Sequence, residues 1–259
     1  MKSRPAFPAR LDLASAQSKP GQASAAPDRQ RSMPIVPPVQ GLGLDSRAVR
    51  ERMVQRLVQE GIDDPLLLGA MRMVERHRFV DSALVNQAYE DTSLPIGMGQ
   101  TISKPSVVAR MIALLRQGRN LRANGKLGRV LEVGTGCGYQ AAVLSQLAKE
   151  VYSIERLRGL HERAVDNLRH LRQPNLHLLL GDGMLGFAAG APYAGIIAAA
   201  GGDALPQAWL DQLDVGGRLV APLATAQGQA LVVVDRTPEG WRQQVLEAVH
   251  FVPLKSGID

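Results

Sequence analysis

Hydrophobic positions follow two different periods along this chain, and the change of period divides it. Val49, Met53, Val54, Leu57 and Val58 recur at three- and four-residue steps and stop at Gly61, which predicts a helix. Asp63, Asp64 and Pro65 then open a second helix carrying Leu67, Leu68, Met71 and Val74. A third helix follows from Val107, Val108, Met111, Ile112, Leu114 and Leu115. Between the second and third, residues 94–106 are rich in Gly and Pro and read as a loop. Downstream, short apolar runs at 129–133, 151–155, 176–180, 192–200 and 216–222 read as strands. Helical patterns separate them, from Ala141 to Leu147 and over 157–171 and 205–213, the last with Pro206 in its first turn. Residues 229–235 and 245–252 are β-rich with a turn at 237–240 and no helix between, which predicts a hairpin at the sheet edge. Strands alternating with helices predict an α/β fold, Rossmann-like, with a mostly parallel sheet and helices on both faces. The early helices form an N-terminal cap, so the chain divides into a tail (1–40), a cap and loop (41–120) and a core (121–259).

Composition changes this picture only at the tail. Residues 1–40 are rich in Pro, Ala, Ser, Gln and Arg without a hydrophobic period, and read as disordered. A transit peptide is the alternative, but the prolines oppose an amphipathic helix. The net charge of +6 invites a nucleic-acid reading, yet six basic residues against two acidic ones lie within 1–40. The core is therefore nearly neutral, and no specific nucleic-acid partner is expected. No apolar run approaches the roughly 20 residues that span a bilayer, so no membrane association is expected. The one cysteine, Cys137, excludes an internal disulfide and suits a reducing compartment.

Cys137 lies in the stretch that carries most chemical information. Gly134, Gly136 and Gly138 follow the first core strand and open a helix, the place where a backbone accepts a ligand closely. Their spacing is G-x-G-x-G, not the G-x-G-x-x-G of dinucleotide sites, and Glu132 stands two residues before them. An ionised carboxylate there suits a cationic ligand; an ordinary strand–helix turn is the plainer alternative. Glu155, about 20 residues beyond the glycines, is placed to take ribose hydroxyls or is a surface acid at a strand end. Asp182, between Gly181 and Gly183, either faces an adenine amino group or makes an Asp-Gly turn. Ser103, two residues before Pro105, is placed to cap the third helix, to act from a loop beside a substrate, or both. His77, His161, His170, His177 and His250 are scattered, and no metal set is expected.

The run from Glu132 through Gly138 resembles motif I of the class I S-adenosylmethionine (SAM) methyltransferases. With Leu94-Pro95-Ile96-Gly97, Gly99-Gln100-Thr101-Ile102-Ser103 and Pro105, with Ser153 to Arg156, Gly181 to Gly183, Asp214 to Leu219 and Phe251 to Leu254, the chain resembles the protein-L-isoaspartate O-methyltransferase family. The resemblance implies a seven-stranded class I methyltransferase core. It implies methyl transfer from SAM, leaving S-adenosylhomocysteine, to the α-carboxyl of L-isoaspartyl residues in damaged proteins and peptides. The ester then collapses to a succinimide that partly reopens as normal aspartate. By resemblance Ser103 is the active-site residue. Thr101, Ile102, Ser103, Glu132, Gly134, Thr135, Gly136, Gly138, Glu155, Asp182 and Gly183 hold the cofactor, and Val252, Pro253 and Leu254 with Ser103 grip the peptide. A cytoplasmic, monomeric enzyme without metal is the expectation. Two departures stand out: Ala194 where the family has Asp, and Gly201-Gly202 where Ala-Pro is common, which predicts added flexibility beside the substrate cleft.

The chemistry agrees with the sparse site. A carboxylate with a pKa near 4 is already ionised at neutral pH and needs no general base. Aligning it with a sulfonium methyl is the task left to the protein. A nucleic-acid methyltransferase is the rival enzyme, but residues 198–202 lack the Asn/Asp-Pro-Pro-aromatic element many of them carry. A SAM-binding protein without catalysis is the third reading, suggested by Ala194 and Gly202.

Overall fold

The structure, a computed structural model, describes residues 47–121 and 124–259. The tail expected over 1–40 lies outside them. Helix α1 (Arg47–Gln59) is followed by α2 (Pro65–Met73), whose Asp64 cap accepts hydrogen bonds from the N–H groups of Leu66 and Leu67. Two 3₁₀ turns, Arg76–Phe79 and Ser82–Gln87, lead to the segment that the sequence marked as a loop. It is instead a hairpin, β1 (Leu94–Gly97) against β2 (Gln100–Ile102), with Leu94 opposite Ile102. Gly and Pro hide its strand character. Leu94, Ile96 and Ile102 are buried and drive the pairing, while Gly97, Met98 and Gly99 all turn at positive φ. Helix α3 (Pro105–Arg116) completes the cap.

The core then alternates: β3 (Leu127–Val133), α4 (Tyr139–Leu147), β4 (Ala148–Glu155), α5 (Arg158–Leu168), β5 (Leu176–Leu180) and β6 (Tyr193–Ala198). It closes with α6 (Gln207–Gln212), β7 (Leu213–Thr225), β8 (Gly228–Thr237) and β9 (Gly240–Val249). Seven strands form one sheet in the order β5-β4-β3-β6-β7-β8-β9. The first five are parallel, and β7, β8 and β9 pair antiparallel. Strand β7 begins earlier than its apolar run suggests because Leu213 already pairs with Tyr193, and α6 is correspondingly short, with Pro206 at its cap. Strand β9 ends at Val249, so residues 250–255 leave the edge and return over the sheet.

Period-two alternation separates two buried clusters. Val130, Ile197, Val220 and Val233 pack with α1 to α5 on one face, including Leu57, Met71 and Leu115 of the cap. Their neighbours Leu131, Ile196, Leu219 and Val232 pack with Trp209 of α6 on the other. Helices thus cover both faces, unevenly, and the cap shares its core with the sheet. Strand β3 lies between β4 and β6, where the winding reverses. In open α/β sheets ligands sit beyond the carboxyl ends of the strands at such a point.

Candidate functional site

A cavity of about 440 Å³ opens at that point, within the range of small-molecule sites. The hairpin β1–β2, the glycine loop after β3, the end of β4 and residues 252–255 wall it. Gly134, Gly136 and Gly138 all lie at positive φ, and a Cβ on Gly138 would come within 2.7 Å of Leu168 Cδ1. The loop is pinned from β4: Gly134 and Thr135 donate to the Ile154 carbonyl, at 2.9 and 3.2 Å.

Glu155 completes the pinning. Its Oε2 accepts from Gly136 N at 2.8 Å and its Oε1 from Leu157 N at 3.0 Å. The carboxylate is buried in the cavity wall, and two N–H bonds leave it lone pairs for further donors. Of the other residues singled out by the sequence, Thr101, Ile102, Ser103, Gly134, Thr135, Gly136, Gly183, Val252, Pro253 and Leu254 also line the cavity. Glu132, Gly138 and Asp182 support the wall without lining it.

Glu132 is fully buried beneath the loop. The Ser153 hydroxyl donates to it, and the Thr135 hydroxyl, 2.6 Å from Ser153, donates in turn to Ser153. Burial pushes the Glu132 pKa up to about 8, against the pull of Ser153 and of the nearby Gln140 amide. Glu132 is therefore mainly the neutral acid at pH 7, not the ionised carboxylate that its position in the sequence suggested. The sequence carried no sign of how deep this strand end lies. Gln140, which exerts that pull, is itself buried in the cavity wall.

Asp182 makes the turn. Its carboxylate accepts from Met184 N at 2.9 Å and from Gly257 N at 2.7 Å, tying the last residues to the loop after β5. Among those residues Asp259 also lines the cavity. Asp259 N donates to the Arg156 carbonyl and Arg158 N to the Asp259 carbonyl, both at 2.9 Å. The part played by Arg156 and Asp259 in this wall was not visible in the sequence, because only tertiary pairing brings them together.

Ser103 is not the cap of α3. Lys104 occupies the cap position, and the Ser103 hydroxyl makes no hydrogen bond among the described residues. Asp91 serves the helix start instead, accepting from Ser106 N at 2.9 Å and from Ser106 Oγ at 2.7 Å. The Ser103 carbonyl accepts from Nη2 of the buried Arg76 at 2.8 Å. The expected looseness at Gly201-Gly202 is also absent. Gly201 N donates to the Val252 carbonyl at 2.9 Å, Leu254 N to the Gly201 carbonyl at 2.8 Å, and Ala224 N to the Gly202 carbonyl at 2.9 Å. Both glycines are held in β-bridges, to Pro253 and Leu223, and so fix the wall they were expected to loosen.

The site gathers an anion-compatible glycine loop, an acid with free lone pairs and an uncommitted hydroxyl around one cavity. These features fit a cofactor with ribose and amino-acid parts beside a second substrate. The chain is also similar to known proteins. Residues 48–259 match the model of the protein-L-isoaspartate(D-aspartate) O-methyltransferase family. A protein-L-isoaspartate O-methyltransferase of Methylibium petroleiphilum is 57% identical, over 98% of this chain and 97% of its own length. One of Leptothrix cholodnii is 60% identical, over 88% of this chain and 80% of its own. A solved protein-L-isoaspartate O-methyltransferase structure superposes with a TM-score of 0.71 at 26% identity, covering 81% of this chain and 67% of that one. A Plasmodium falciparum structure in complex with S-adenosyl-L-homocysteine, at 23% identity, shares the fold with a TM-score of 0.69 over 80% of this chain and 98% of its own.

Proposed function

We infer the workings of the site from one premise: this chain belongs to the protein-L-isoaspartate(D-aspartate) O-methyltransferase family. It is a protein-repair methyltransferase that moves the methyl group of SAM to the free α-carboxyl of L-isoaspartyl residues in damaged proteins and peptides. The cofactor, when bound, supplies a methyl group on a sulfonium and leaves as S-adenosylhomocysteine.

The observation that carries our assignment is the Ser103 hydroxyl, in the cavity wall and free of the helix behind it. We assign Ser103 as the active-site residue. Its O–H donates to one oxygen of the substrate carboxylate and presents the other towards the methyl group. The carboxylate arrives ionised, so no side chain has to take a proton. Orientation and exclusion of water are the protein's contribution. Glu155 takes the ribose hydroxyls with its remaining lone pairs, and the loop from Gly134 to Gly138, with Thr101, Ile102 and Gly183, encloses the rest of the cofactor. Glu132 and Asp182 support that enclosure from behind through Ser153 and through Met184 and Gly257. Val252, Pro253 and Leu254 hold the peptide beside Ser103, on the segment bridged to Gly201. We also propose a monomer in the cytoplasm. The buried, unpaired Cys137 suits that compartment, and no described helix is long and apolar enough to cross a membrane.

Losing a hydrogen bond to a charged group costs about 1.5–3 kcal/mol, so Ser103→Ala should lower kcat/KM for an isoaspartyl peptide about 10- to 100-fold. SAM affinity by calorimetry should change far less, since Ser103 is only one of the residues that hold the cofactor. Full activity in Ser103→Ala would remove the residue from the chemistry. Methyl transfer to an aspartyl twin peptide or to RNA, measured alongside, should be absent.

A further inference from the structure

Arg76 has no place in the chemistry above, yet its burial is complete. Arginine is almost never fully buried unless it is paired, because removing its charge from water costs several kcal/mol. Among the described residues no carboxylate forms an ion pair with Arg76. Its guanidinium instead donates from Nε to the Ala88 carbonyl at 2.7 Å and from Nη2 to the Ser103 carbonyl at 2.8 Å. Its third contact is the ring of Tyr139, 4.9 Å from Cζ, on the first residue of α4 and in the cavity wall.

A methionine would fill much of the same volume without the desolvation cost. What a guanidinium adds is a rigid planar fork that holds two acceptors at a fixed separation. Here the acceptors come from different segments: the end of the second 3₁₀ turn and the junction between β2 and α3. The Ser103 carbonyl shares a rigid peptide plane with the Ser103 Cα, so holding the oxygen fixes the atom from which the side chain departs. Three residues on, Asp91 grips Ser106. The junction is thus held at both ends by the cap, and the hydroxyl between is the one left unbonded.

We propose that Arg76 is a positioning residue for methyl transfer, setting the place of the Ser103 hydroxyl through the Ser103 carbonyl while it braces Ala88 and Tyr139. This rests on the assignment of Ser103 above. Lysine keeps the charge but is a single-point donor and cannot span both carbonyls, whereas glutamine keeps one amide donor without charge.

The experiment is a double-mutant cycle of Arg76→Lys with Ser103→Ala, using full-length protein and an isoaspartyl peptide. Circular dichroism checks the fold and calorimetry the SAM affinity. Arg76→Lys should lower kcat about tenfold or more while SAM Kd changes by less than about threefold. In the Ser103→Ala background the same substitution should cost less than about twofold, because the group it positions is gone. Multiplicative losses would show that Arg76 acts on the whole site and not through Ser103, and the proposal falls. It falls also if folded Arg76→Lys keeps its kcat, or if SAM affinity and kcat drop together. Should Arg76→Lys fail to fold, Arg76→Gln replaces it in the cycle; if neither folds, Arg76 is a strut of the core and nothing more. A fully active Ser103→Ala single mutant is a different result. It removes the Ser103 assignment itself, whatever Arg76→Lys does.

Discussion

Replacing Glu132 with glutamine should stabilise the protein, and by an amount that grows with pH. The side chain is fully buried, with Ser153 donating to one of its oxygens. Burial raises its pKa to about 8, from an ordinary value of 4.5. Between those values the unfolded chain has released the proton and the folded chain retains it. Stability then falls as pH rises, by about 1.4 kcal/mol per pH unit from this one group. Glutamine keeps the shape and the acceptor for Ser153 but has no proton to lose. From pH 5 to pH 7 the gap between Glu132→Gln and the parent should widen by about 3 kcal/mol, and level off above pH 8. For a chain of this size that is a growing Tm difference of about 6–12 °C. Thermal unfolding of both proteins without SAM, followed by circular dichroism at half-unit pH steps, reads it directly. Parallel curves of Tm against pH would refute the reasoning and return Glu132 to the ionised state inferred from its sequence position.

Other consequences are simpler to read. Glu155→Ala should weaken SAM binding by about 1–3 kcal/mol in calorimetry, and Glu155→Gln by less, since the amide oxygen can still accept one of the two loop N–H groups. Asp64→Ala should cost about 3–5 kcal/mol in urea unfolding, because it strips the cap of α2 and strands the buried Arg116, whose Nε lies 2.6 Å from Asp64. Burial works against the Asp64 carboxylate, but Arg116 and two backbone N–H groups outweigh it and hold the pKa below the ordinary value. The stabilisation of this pair is thus present at neutral pH and disappears in acid, as pH falls through that lowered pKa. Gly183→Ala should lower Tm and SAM affinity together, since its Cβ would stand 2.5 Å from Val133 Cγ1 in the cavity wall; a neutral result would mean that the wall gives way.

The fold was legible because its signals are periodic and repeated. Strand β5 has the bounds its apolar run indicated, Leu176–Leu180, and Asp64 caps the helix its sequence announced. What was hidden depended on partners far along the chain. The hairpin at Leu94–Ile102 pairs through residues that look like a loop, because Gly and Pro suppress the local strand signal while burial of Leu94 and Ile96 supplies the energy. Ser103 looked like a cap because Ser before Pro is a capping pattern; Asp91, remote in sequence, had already taken the helix start. Gly201-Gly202 looked loose because glycine is permissive, but permissiveness vanishes once both neighbours pair with it. Arg76 is the clearest case. Nothing local separates a buried, fork-bonded arginine from the solvated Arg78 two residues on.

The cavity wall joins the hairpin at Leu94–Ile102, ahead of the first core strand, to residues 252–255, beyond the last. Synthesis proceeds in that same direction, so the hairpin and the glycine loop leave the ribosome long before the segment that faces them. A nascent chain ending at β8 has the motif but only part of the cavity, and lacks the bridge from Pro253 to Gly201. Pairings so distant in sequence also form late and slowly. A chain that stops before residues 252–255 therefore carries the glycine loop without a complete cavity wall.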